Sequence, residues 1–457
     1  MTAGASHRSQ DRRVVICGGG VAAVEALLAL RAHFKVGLDV HLVAPNRQFV
    51  YHPLAVAAPF GLAETHLLEI AEIAGDQDAK LHIDSVVQVD AQSRRVRLAS
   101  DIDLSYGALL VAVGARRRDW LERALHFGGA ASVDDFRALL ERLESGAERR
   151  VCFVVPAGIS WTLPLYELAL LTAAHLADRG VIGAELTLVT PEPDPLALFG
   201  PTASRMLRDL LADRGIALRA STHAERIEDR ELHLRPGGTL EAGCVVTLAE
   251  LDGPSLPGLP CDAHGFISME EGGRVAGLSG VYAAGDGTDF PIKQGGLAAQ
   301  QADVAAEAIA AQMGAAVTPS ELRPTLRGML LTGIAPTYLR ATIADGGEQA
   351  FETSATPLWW PPSKIAARYL APYLAHHDAL SRDQTLRDRP PMLRDAAALR
   401  DAHEEARKLA LMFAELDAAE HHFRSALQWL EVIERLDGIL PPGYLQKRAD
   451  WRRRVHP

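Results

Sequence analysis

A glycine run near the start of the chain has the spacing that lets backbone amides bind a phosphate. Residues 14–17 read VVIC, a short apolar strand pattern, and residues 18–23 read GGGVAA at the start of an alanine- and leucine-rich helical stretch. In such a strand–turn–helix unit, Gly18 permits the tight turn, Gly20 lets the backbone approach a ligand and Ala23 keeps the helix close to the strand. The free N–H groups and the helix dipole then favour a pyrophosphate. The pattern predicts a dinucleotide-binding turn, and a glycine-rich turn without a ligand is the alternative.

The next apolar strand lacks the acidic residue that usually binds a ribose in this kind of unit. Residues 40–43 read VHLV and continue into Ala44, Pro45, Asn46 and Arg47. An aspartate or glutamate is expected near Ala44 in the usual pattern. Since none is present, we expect Asn46 or backbone groups to hold the ribose.

Two later segments also end in strand-and-turn patterns. Residues 105–115 read SYGALLVAVGA, and residues 280–286 read GVYAAGD. An aspartate directly after a buried strand needs a polar partner, because burying an unpaired charge is costly. A ligand hydroxyl would supply that partner for Asp286, and capping of the following helix is the alternative.

A second strand–turn–helix unit, at residues 151–170, lacks the glycines that a dinucleotide requires. Residues 151–160 read VCFVVPAGIS, and no frame restores the three small positions. Pro156 also removes one backbone donor that could have met a phosphate. After the next strand, residues 186–190, the expected ribose acid is absent, although Glu192 follows shortly. Binding of NAD(P)H in the usual pose is therefore disfavoured, but it remains an alternative.

Length, charge and cysteine content exclude several classes of protein. The 457 residues suffice for two or three domains, and a net charge of −11 argues against nucleic-acid binding. The four cysteines are widely spaced, which predicts neither a disulfide framework nor a metal site, and Cys17 and Cys152 are expected in the core. No apolar run reaches the roughly 20 residues of a spanning helix, and nothing resembles a signal peptide. We expect a cytoplasmic protein, with peripheral contact at the inner face of the membrane as an alternative.

Together these segments resemble FAD-dependent pyridine nucleotide–disulfide oxidoreductase-like proteins, and among them the branch of sulfide:quinone oxidoreductases and type II NADH dehydrogenases. The resemblance covers roughly residues 12–325. Residues 49–55, FVYHPLA, are similar to the aromatic-x-x-P-L segment that those enzymes run past the isoalloxazine ring. Residues 293–301, KQGGLAAQQ, are similar to a helix start that faces the flavin pyrimidine edge, where the dipole favours negative charge. The resemblance implies that Asp286 hydrogen-bonds the ribityl chain of FAD.

The motifs and the resemblance together define the residues expected to bind FAD. They are Gly18, Gly19, Gly20, Val21, Ala22, Pro45, Asn46, Arg47, Pro53, Val86, Ala112, Val113, Gly114, Gly285, Asp286, Lys293, Gln294 and Gly295. Lys293 would offset negative charge on the reduced flavin, or would be an ordinary surface lysine. His52 lies where a related family links a cysteine to FAD, so a histidyl link and an ordinary pocket-edge histidine are both open. Gln300 and Gln301 match paired glutamines near the quinone pocket of type II dehydrogenases, or form a polar helix face.

The second turn is most similar to that of sulfide:quinone oxidoreductases, which do not use NAD there. The positions that fit that pattern are Gly158, Ser160, Pro164, Tyr166 and Glu167. Where that family places a redox cysteine, this chain has Trp161, and residues 130–132 and 266–281 contain no other cysteine. Sulfide oxidation there needs thiolates, and a tryptophan cannot replace one. Trp161 would instead stack near the flavin, close the pocket or fill core space.

We therefore expect an α/β protein with two Rossmann-like, doubly wound domains and a helical C-terminal extension. The FAD domain is expected at residues 13–118 and 255–325, after a flexible residue 1–12 segment, with the second domain at 119–254. The expected function is a FAD-dependent oxidoreductase that passes two electrons from an unidentified small-molecule donor to a quinone or another acceptor. An NAD(P)H dehydrogenase of the quinone type and a non-catalytic FAD-binding partner or scaffold are the alternatives. No catalytic acid, base or nucleophile is identified.

The C-terminal region, residues 326–457, is expected to be mostly helical from about residue 363. Residues 355–364 are rich in proline and aromatic residues and cannot be helical, whereas residues 365–374 look helical. An apolar stripe follows at three- and four-residue steps, comprising Leu409, Phe413, Leu416, Ala419, Phe423, Leu427 and Leu430. Because acids border this stripe, we favour packing on the protein itself or on a homodimer partner over membrane docking. The aromatic and basic tail, residues 444–454, is the best candidate for a lipid contact.

Overall fold

The computed structural model describes residues 12–34, 37–63, 66–128, 130–342, 349–359, 361–375 and 377. Of the remaining C-terminal residues it describes 411, 414–415, 418, 423, 426–427, 429–430 and 443–455. The chain divides into two compact units, Met1–Ala375 and His376–Pro457. All of the cavities considered below belong to the first unit.

The described helices and strands alternate over most of the first unit. The helices are α1 (Val21–His33), α2 (Ile70–Asp76), α3 (Ala130–Glu144), α4 (Leu163–Asp178), α5 (Gly200–Asp213), α6 (Gly295–Gln312) and α7 (Tyr444–Val455). The strands of the first 150 residues are β1 (Arg13–Cys17), β2 (Asp39–Ala44), β3 (Gln48–Tyr51), β4 (His66–Glu69), β5 (Lys80–Ile83), β6 (Val86–Asp90), β7 (Arg95–Leu98), β8 (Asp103–Ser105), β9 (Ala108–Val111), β10 (Arg116–Arg118) and β11 (Leu125–Phe127). The later strands are β12 (Arg150–Val154), β13 (Glu185–Val189), β14 (Ile216–Arg219), β15 (His223–Glu228), β16 (Glu231–Arg235), β17 (Thr239–Glu241), β18 (Cys244–Leu248), β19 (Glu250–Asp252), β20 (Val281–Ala283), β21 (Thr325–Leu330), β22 (Thr337–Thr342) and β23 (Phe351–Ser354).

A parallel five-stranded sheet, in the order β20-β9-β1-β2-β5, forms the centre of the first Rossmann-like fold. Its strands are continuous apolar runs because both faces are covered; in β1, for example, Val14 to Cys17 are fully buried. The alanine-rich helices α1 and α6 pack in the same core. The register aligns Cys17 with Val111, and Val111 with Ala283. The turns that follow β1, β9 and β20 therefore meet at one edge of the sheet.

A second parallel sheet, in the order β11-β18-β12-β13-β14, repeats the same architecture. Val154 at the end of β12 lies beside Thr247 of β18, so the turn that leads into α4 adjoins residue 248. The two short strands β10 and β19 pair antiparallel, with Arg117 opposite Leu251. These strands connect the first sheet with the second. The mixed α/β class with two Rossmann-like folds is thus confirmed.

A three-stranded antiparallel sheet, β21-β22-β23, follows α6. The sequence pattern did not predict it. Residues 355–359 and 361–364 are non-helical, as predicted, but the helix expected from Ile365 begins at Leu370. The start is delayed because the buried Glu25 side chain accepts hydrogen bonds from the backbone N–H groups of Tyr369 (2.9 Å) and Leu370 (2.5 Å). Those bonds cap the helix at that point.

In the second unit, α7 contributes to a small apolar cluster. Trp451 is buried with Ala414, Ala426 and Leu430. Phe423 and Leu427 of the predicted stripe pack against the same cluster, whereas residues 409, 413, 416 and 419 lie outside the described residues. The stripe therefore packs, at least in its second half, within its own unit. Among the residues that the structure describes, no helix is long and apolar enough to cross a membrane.

Candidate functional site

A cavity of about 740 Å³ opens where the turns after β1, β9 and β20 converge. The carboxyl edge of a parallel sheet is where such folds bind ligands, because loops diverge there and helix N-termini point inward. Residues from all three turns line the cavity, among them Gly18, Gly114 and Asp286. The segment that carries His52 and Pro53 closes one end. The site is thus assembled from parts of the chain more than 250 residues apart.

The first turn is shaped to bring bare backbone against a ligand. Gly18 has φ +139°, and a Cβ there would lie 2.1 Å from the carbonyl oxygen of Ala112, so only glycine fits. A Cβ on Gly20 would meet nothing within 4 Å, because that side faces the cavity. Helix α1 has no acidic residue in its first turn and no side-chain cap. Its unpaired N–H groups therefore provide a site for an anion such as a pyrophosphate.

Asp286 presents a carboxylate to the same cavity. None of the residues that the structure describes donates a hydrogen bond to it, whereas the neighbouring backbone is fixed by the 2.7 Å bond from Gly285 N–H to Gln301. Burial raises the pKa of Asp286, and the positive charges of Lys293 and Arg117 oppose that effect. A half-buried acceptor without a donor is suited to a ligand hydroxyl.

Most of the predicted FAD-binding residues meet in this cavity. All of them line it except Arg47, Lys293 and Gln294. Arg47 is exposed, and its backbone carbonyl accepts a hydrogen bond from Ile70. Gln294 caps α6, with its side chain accepting a 2.8 Å hydrogen bond from Leu297 N–H. Lys293 donates to the Thr288 carbonyl and lies 3.8 Å from the centre of the Phe266 ring.

Two smaller cavities adjoin the large one. The first, which we call the ion-pair chamber, has a volume of about 220 Å³ and is lined by His52, Trp161, Glu167 and Lys364. The second, the loop chamber, has about 400 Å³ and is bounded by the loops that carry Gly158, Asp262, His264 and Lys293. Trp161 lines both chambers and packs edge-on against Phe199, with ring centres 6.0 Å apart. It forms a wall between the two spaces.

Arg117 lines the large cavity and both chambers. No residue in the described part of the chain forms a hydrogen bond or an ion pair with its guanidinium. Burial lowers the pKa of Arg117, and the charge of Asp286 opposes this. Arg117 also lowers the pKa of His52, after the larger effect of burial. Arg117 is not among the residues predicted from the sequence; its signal there is a cation directly after the strand-and-turn that ends at Gly114.

The ion-pair chamber takes its name from Glu167 and Lys364. Their side chains are only 1% and 5% exposed and form a salt bridge. Lys364 also donates to the Met329 carbonyl (2.9 Å), and Leu331 N–H donates to Glu167 (2.8 Å). Burial raises the pKa of Glu167 and lowers the pKa of Lys364. In the sequence Glu167 stands out only as part of a pattern, and no local signal points to Lys364.

Two carboxyl groups, those of Glu192 and Glu250, lie close to the second turn. Glu192 accepts hydrogen bonds from Tyr166 (2.5 Å) and Thr190 (3.2 Å), and also bonds the side chain of Thr162, the residue before α4. Burial raises the pKa of Glu192. A Cβ on Gly158 would lie 2.8 Å from a carboxylate oxygen of Glu250. Glu192 thus faces inward and is not placed to bind a ribose.

The cysteines lie away from the three cavities, and the paired glutamines bond the backbone. All four cysteines are free, and none of them lines the three cavities. Burial raises the pKa of Cys152 to about 12 and that of Cys17 still further, as expected of core thiols. Gln300 bonds the backbone of Gly296 and Thr325, and Gln301 holds the turn at Gly285. Among the described residues, no cluster of His, Cys, Asp and Glu could hold a metal ion.

Comparison with known proteins places this geometry in context. A family profile for pyridine nucleotide-disulphide oxidoreductases matches residues 12–310. The sulfide:quinone oxidoreductase of Aquifex aeolicus superposes with a TM-score of 0.67 at 19% identity, covering 75% of this chain and 87% of that one. A ferredoxin reductase from Rhodopseudomonas palustris gives a TM-score of 0.57 at 20% identity, with 72% and 82% covered. An NAD-dependent persulfide reductase from A. fulgidus gives 0.55 at 17%, with 73% and 64% covered. At these identities the structural matches show the fold alone.

Proposed function

The chain belongs to the pyridine nucleotide-disulphide oxidoreductase family, and we propose that it is a FAD-dependent enzyme passing two electrons from a small-molecule donor to a quinone or another acceptor. Members of this family are flavin-dependent oxidoreductases. The observation that carries the proposal is the large cavity between the turns of Gly18, Gly114 and Asp286, with two chambers opening from it. A cavity with adjoining chambers suits an enzyme better than a scaffold that holds FAD only for stability.

The residues of the large cavity fit FAD. The bare backbone at Gly20 and the N-terminus of α1 would hold the pyrophosphate. Asp286 would accept hydrogen bonds from ribityl hydroxyls, which would supply the donors that the described residues do not provide. Pro45 and Asn46, which also line the cavity, would hold the adenosine end. Bound FAD supplies the capacity to take up two electrons and to release them to an acceptor.

Several groups in this chain favour negative charge at the end of the large cavity that adjoins the two chambers. The N-terminus of α6 begins at Gly295, which lines both the large cavity and the ion-pair chamber. Its dipole favours an anion at this position. Arg117 adds a full positive charge, and Lys293 adds another from the loop chamber, although three aspartates offset it, namely Asp286, Asp289 and Asp262. These charges would stabilise reduced flavin.

For the electron donor we propose a small molecule in the loop chamber rather than a dinucleotide or sulfide. NAD(P)H in the usual pose would bring its phosphates against Glu192 and Glu250, and Pro156 offers no N–H group. Sulfide oxidation through protein thiolates needs cysteines at the cavity, and none lines it. Trp161, Phe127 and Phe290 give the loop chamber an aromatic surface. An NAD(P)H dehydrogenase with an unusual binding pose remains the second candidate, because the second parallel sheet is complete.

For the acceptor we propose the ion-pair chamber. Its walls are mainly apolar, with Val56, Leu163 and Met329 among them, and its charged groups are Arg117 and the Glu167–Lys364 pair. Lys364 is a buried hydrogen-bond donor that could hold a carbonyl oxygen, and its ammonium group carries a proton at that position. A mainly apolar space with the donor groups of Lys364 and Arg117 on its wall fits a quinone ring.

We place the enzyme in the cytoplasm, with small molecules as its partners and no nucleic acid. In α7 the side chains of Arg452, Arg453 and Arg454 are exposed, so they are the groups that would meet anionic lipid at the inner face of the membrane. Trp451 is buried in its own unit and would not take part. A homodimer through the remaining stripe is the other arrangement to be tested.

The decisive experiment is an anaerobic titration of the purified protein against NADH, NADPH and sulfide. The flavin absorption band should be present in the protein as isolated and should persist after each of the three donors. Rapid bleaching by NADH would favour the dehydrogenase alternative. Bleaching by sulfide would contradict the inference that Trp161, in place of a redox cysteine, excludes sulfide as the donor. Protein that contains no FAD would overturn the proposal as a whole.

A further inference from the structure

Three carboxyl groups meet behind the large cavity, on the helices that flank the first sheet. Glu25 of α1 is fully buried, Glu307 of α6 is 8% exposed, and Asp303 of α6 is half-buried between them. The Asp303 carboxyl is within hydrogen-bonding reach of Glu25. Glu307 has its own partners, since Ser320 donates to it through N–H (2.9 Å) and hydroxyl (2.5 Å). The cluster thus contains one close carboxyl–carboxyl contact, between Glu25 and Asp303.

Two ionised carboxylates cannot hydrogen-bond each other, so this contact requires a proton. Burial raises the pKa of Glu25, but Glu25 accepts two backbone N–H groups, from Tyr369 and Leu370, and these bonds favour its charged form. Asp303 receives no comparable support, and its Oδ1 is buried without a donor among the described residues. The proton therefore belongs mainly on Asp303. Burial, followed by the charge of Glu25, raises the pKa of Asp303 to about 8.

The segment held by Glu25 is also a wall of the functional site. We call residues 361–375 the strap. Within it, Lys364 and Ile365 line the ion-pair chamber, and Ile365 also lines the large cavity. Ile365 N–H donates to the Tyr51 hydroxyl (3.0 Å), which fixes one end of the strap. Glu25 fixes it again at Leu370, five residues further along.

We propose that Glu25 and Asp303 are positioning residues: the pair shares one proton and thereby holds the strap, with Lys364 and Ile365, against the flavin cavity. The structural part of this inference stands on the contacts of Glu25, while its effect on electron transfer rests on the proposed function. Neither residue lines any of the three cavities. They act on the site only through the strap.

The Glu25–Asp303 pair that holds the strap, which we call the clamp, is expected to weaken as the pH rises. When the strap lifts, Asp303 is exposed to water and its pKa returns towards the ordinary value near 4. Lifting therefore releases a proton and becomes easier with rising pH, until the pKa of the closed state, about 8, is passed. The other charged groups that face the pair are Glu307 of α6 and Arg368 of the strap, which lie 3.5 Å apart. Arg368 lowers the pKa of Asp303 and Glu307 raises it.

Hydrogen exchange of the full-length protein, read by mass spectrometry on peptides from the strap, tests the clamp. We expect the protection factor of residues 366–375, corrected for the intrinsic exchange rate, to fall by up to about tenfold per pH unit between about pH 5 and pH 8 and to stay level above that. In Asp303→Asn the amide still donates to Glu25 but has no proton to lose, so protection should stay level over the whole range. Peptides from α5 serve as the internal reference.

A pH-independent protection factor in the wild-type protein, or the same slope in Asp303→Asn, would overturn the proposal. Glu25→Gln should lower protection at every pH, because one oxygen can no longer accept a backbone N–H. Should Glu25→Gln unfold, the Asp303→Asn comparison alone decides. The flavin content of each sample, measured by absorbance, keeps this test separate from the function: a strap that responds to pH in protein without FAD supports the clamp and overturns only the proposed function.

Discussion

The phenol of Tyr166 donates a 2.5 Å hydrogen bond to the carboxylate of Glu192 beside the N-terminus of α4. In a dinucleotide-binding domain this is the position of a phosphate. Glu192 also contacts the side chain of Thr162, the residue before α4, so a carboxyl group of the chain itself lies beside this end of the helix. The second Rossmann-like fold is complete, but the carboxyl group of Glu192 lies next to the helix end that binds a phosphate in dinucleotide-binding domains.

Removing that internal anion should improve nucleotide binding. The change is the double variant Glu192→Gln with Glu250→Gln. Each carboxylate repels a phosphate by on the order of 1 kcal/mol at water-like screening, so the Kd for NADH should fall by roughly tenfold or more. Isothermal titration calorimetry at neutral pH gives the measurement. Glu185→Gln, an exposed acid on β13 of the same sheet, is the control, and equal affinity in all three proteins would contradict the prediction.

Substitutions in the turn after β1 should separate an effect on stability, at Gly18, from an effect on FAD binding, at Gly20. In Gly20→Ala the new methyl group points into open space, so we expect a folded protein whose FAD affinity is at least about tenfold weaker, because the methyl occupies the approach of the pyrophosphate. Gly18→Ala should instead lose at least about 3 kcal/mol of stability through its backbone strain and its contact with Ala112. Gly75→Ala on α2, where a Cβ also meets nothing within 4 Å, is the control. FAD content and urea unfolding are the measurements, and full FAD content in Gly20→Ala would count against the site.

Arg117 should set the redox potential of the flavin. Replacing it with Gln removes a positive charge that lines the large cavity and both chambers, so reduced flavin loses about 1 kcal/mol of stabilisation or more. This corresponds to a shift of roughly −20 to −40 mV in a two-electron potential. Dye-coupled potentiometry measures it, with Arg117→Lys expected near the wild-type value. Arg116→Gln is the matched control, since Arg116 lines only the large cavity and bonds the Gly253 carbonyl (3.1 Å). An unchanged potential in Arg117→Gln would remove the argument for this residue.

Removing one member of the buried Glu167–Lys364 ion pair should cost more stability than replacing both. Lys364→Met leaves Glu167 buried without its cation, which typically costs 3–5 kcal/mol. Adding Glu167→Gln should recover part of that loss, because neither group is then charged. Urea unfolding of the four proteins of the double-mutant cycle gives the coupling energy. Both variants that lack Lys364 should also raise the KM for a quinone acceptor. A double variant no more stable than Lys364→Met would show that the pair is not coupled.

The clamp formed by Glu25 and Asp303 also predicts that the difference in Tm between Asp303→Asn and the wild-type protein depends on pH. The pKa of Asp303 is about 8 in the folded protein and near 4 when unfolded. Its contribution to stability is therefore complete below about pH 4 and is lost as the pH rises towards 8. The Tm of Asp303→Asn relative to wild type should increase over that interval and then stay constant. Calorimetry at about one-unit steps measures it; a difference that decreases with pH would have the wrong sign.

The sequence predicted those parts of the site that depend on neighbouring residues. The strand–turn–helix at Gly18 and the strand ending at Asp286 are short local patterns, and a parallel sheet brings such turns together at one edge by its geometry. Trp161 was identified because a cysteine was expected at its position. Local patterns are sufficient when one element determines the position of a residue.

Other parts of the site depend on contacts between distant segments, and no local pattern reveals them. Lys364 meets Glu167 across 197 residues, and Glu25 decides where a helix starts 345 residues later. The sheet β21-β22-β23 and the role of Arg117 at three cavities were missed for the same reason. The inward turn of Glu192 depends on Tyr166 and Thr190, and the sequence shows only that an acid is near.

The absence of any cysteine from the three cavities separates this enzyme from the thiol chemistry of the cell. Oxidants and alkylating agents act on exposed thiolates, and here burial keeps Cys17 and Cys152 protonated. Peroxide, heavy-metal ions and electrophilic toxins therefore find no thiol at the site, where the sulfur present is the thioether of Met329. Thiol-modifying reagents should therefore leave the lining of the three cavities unchanged.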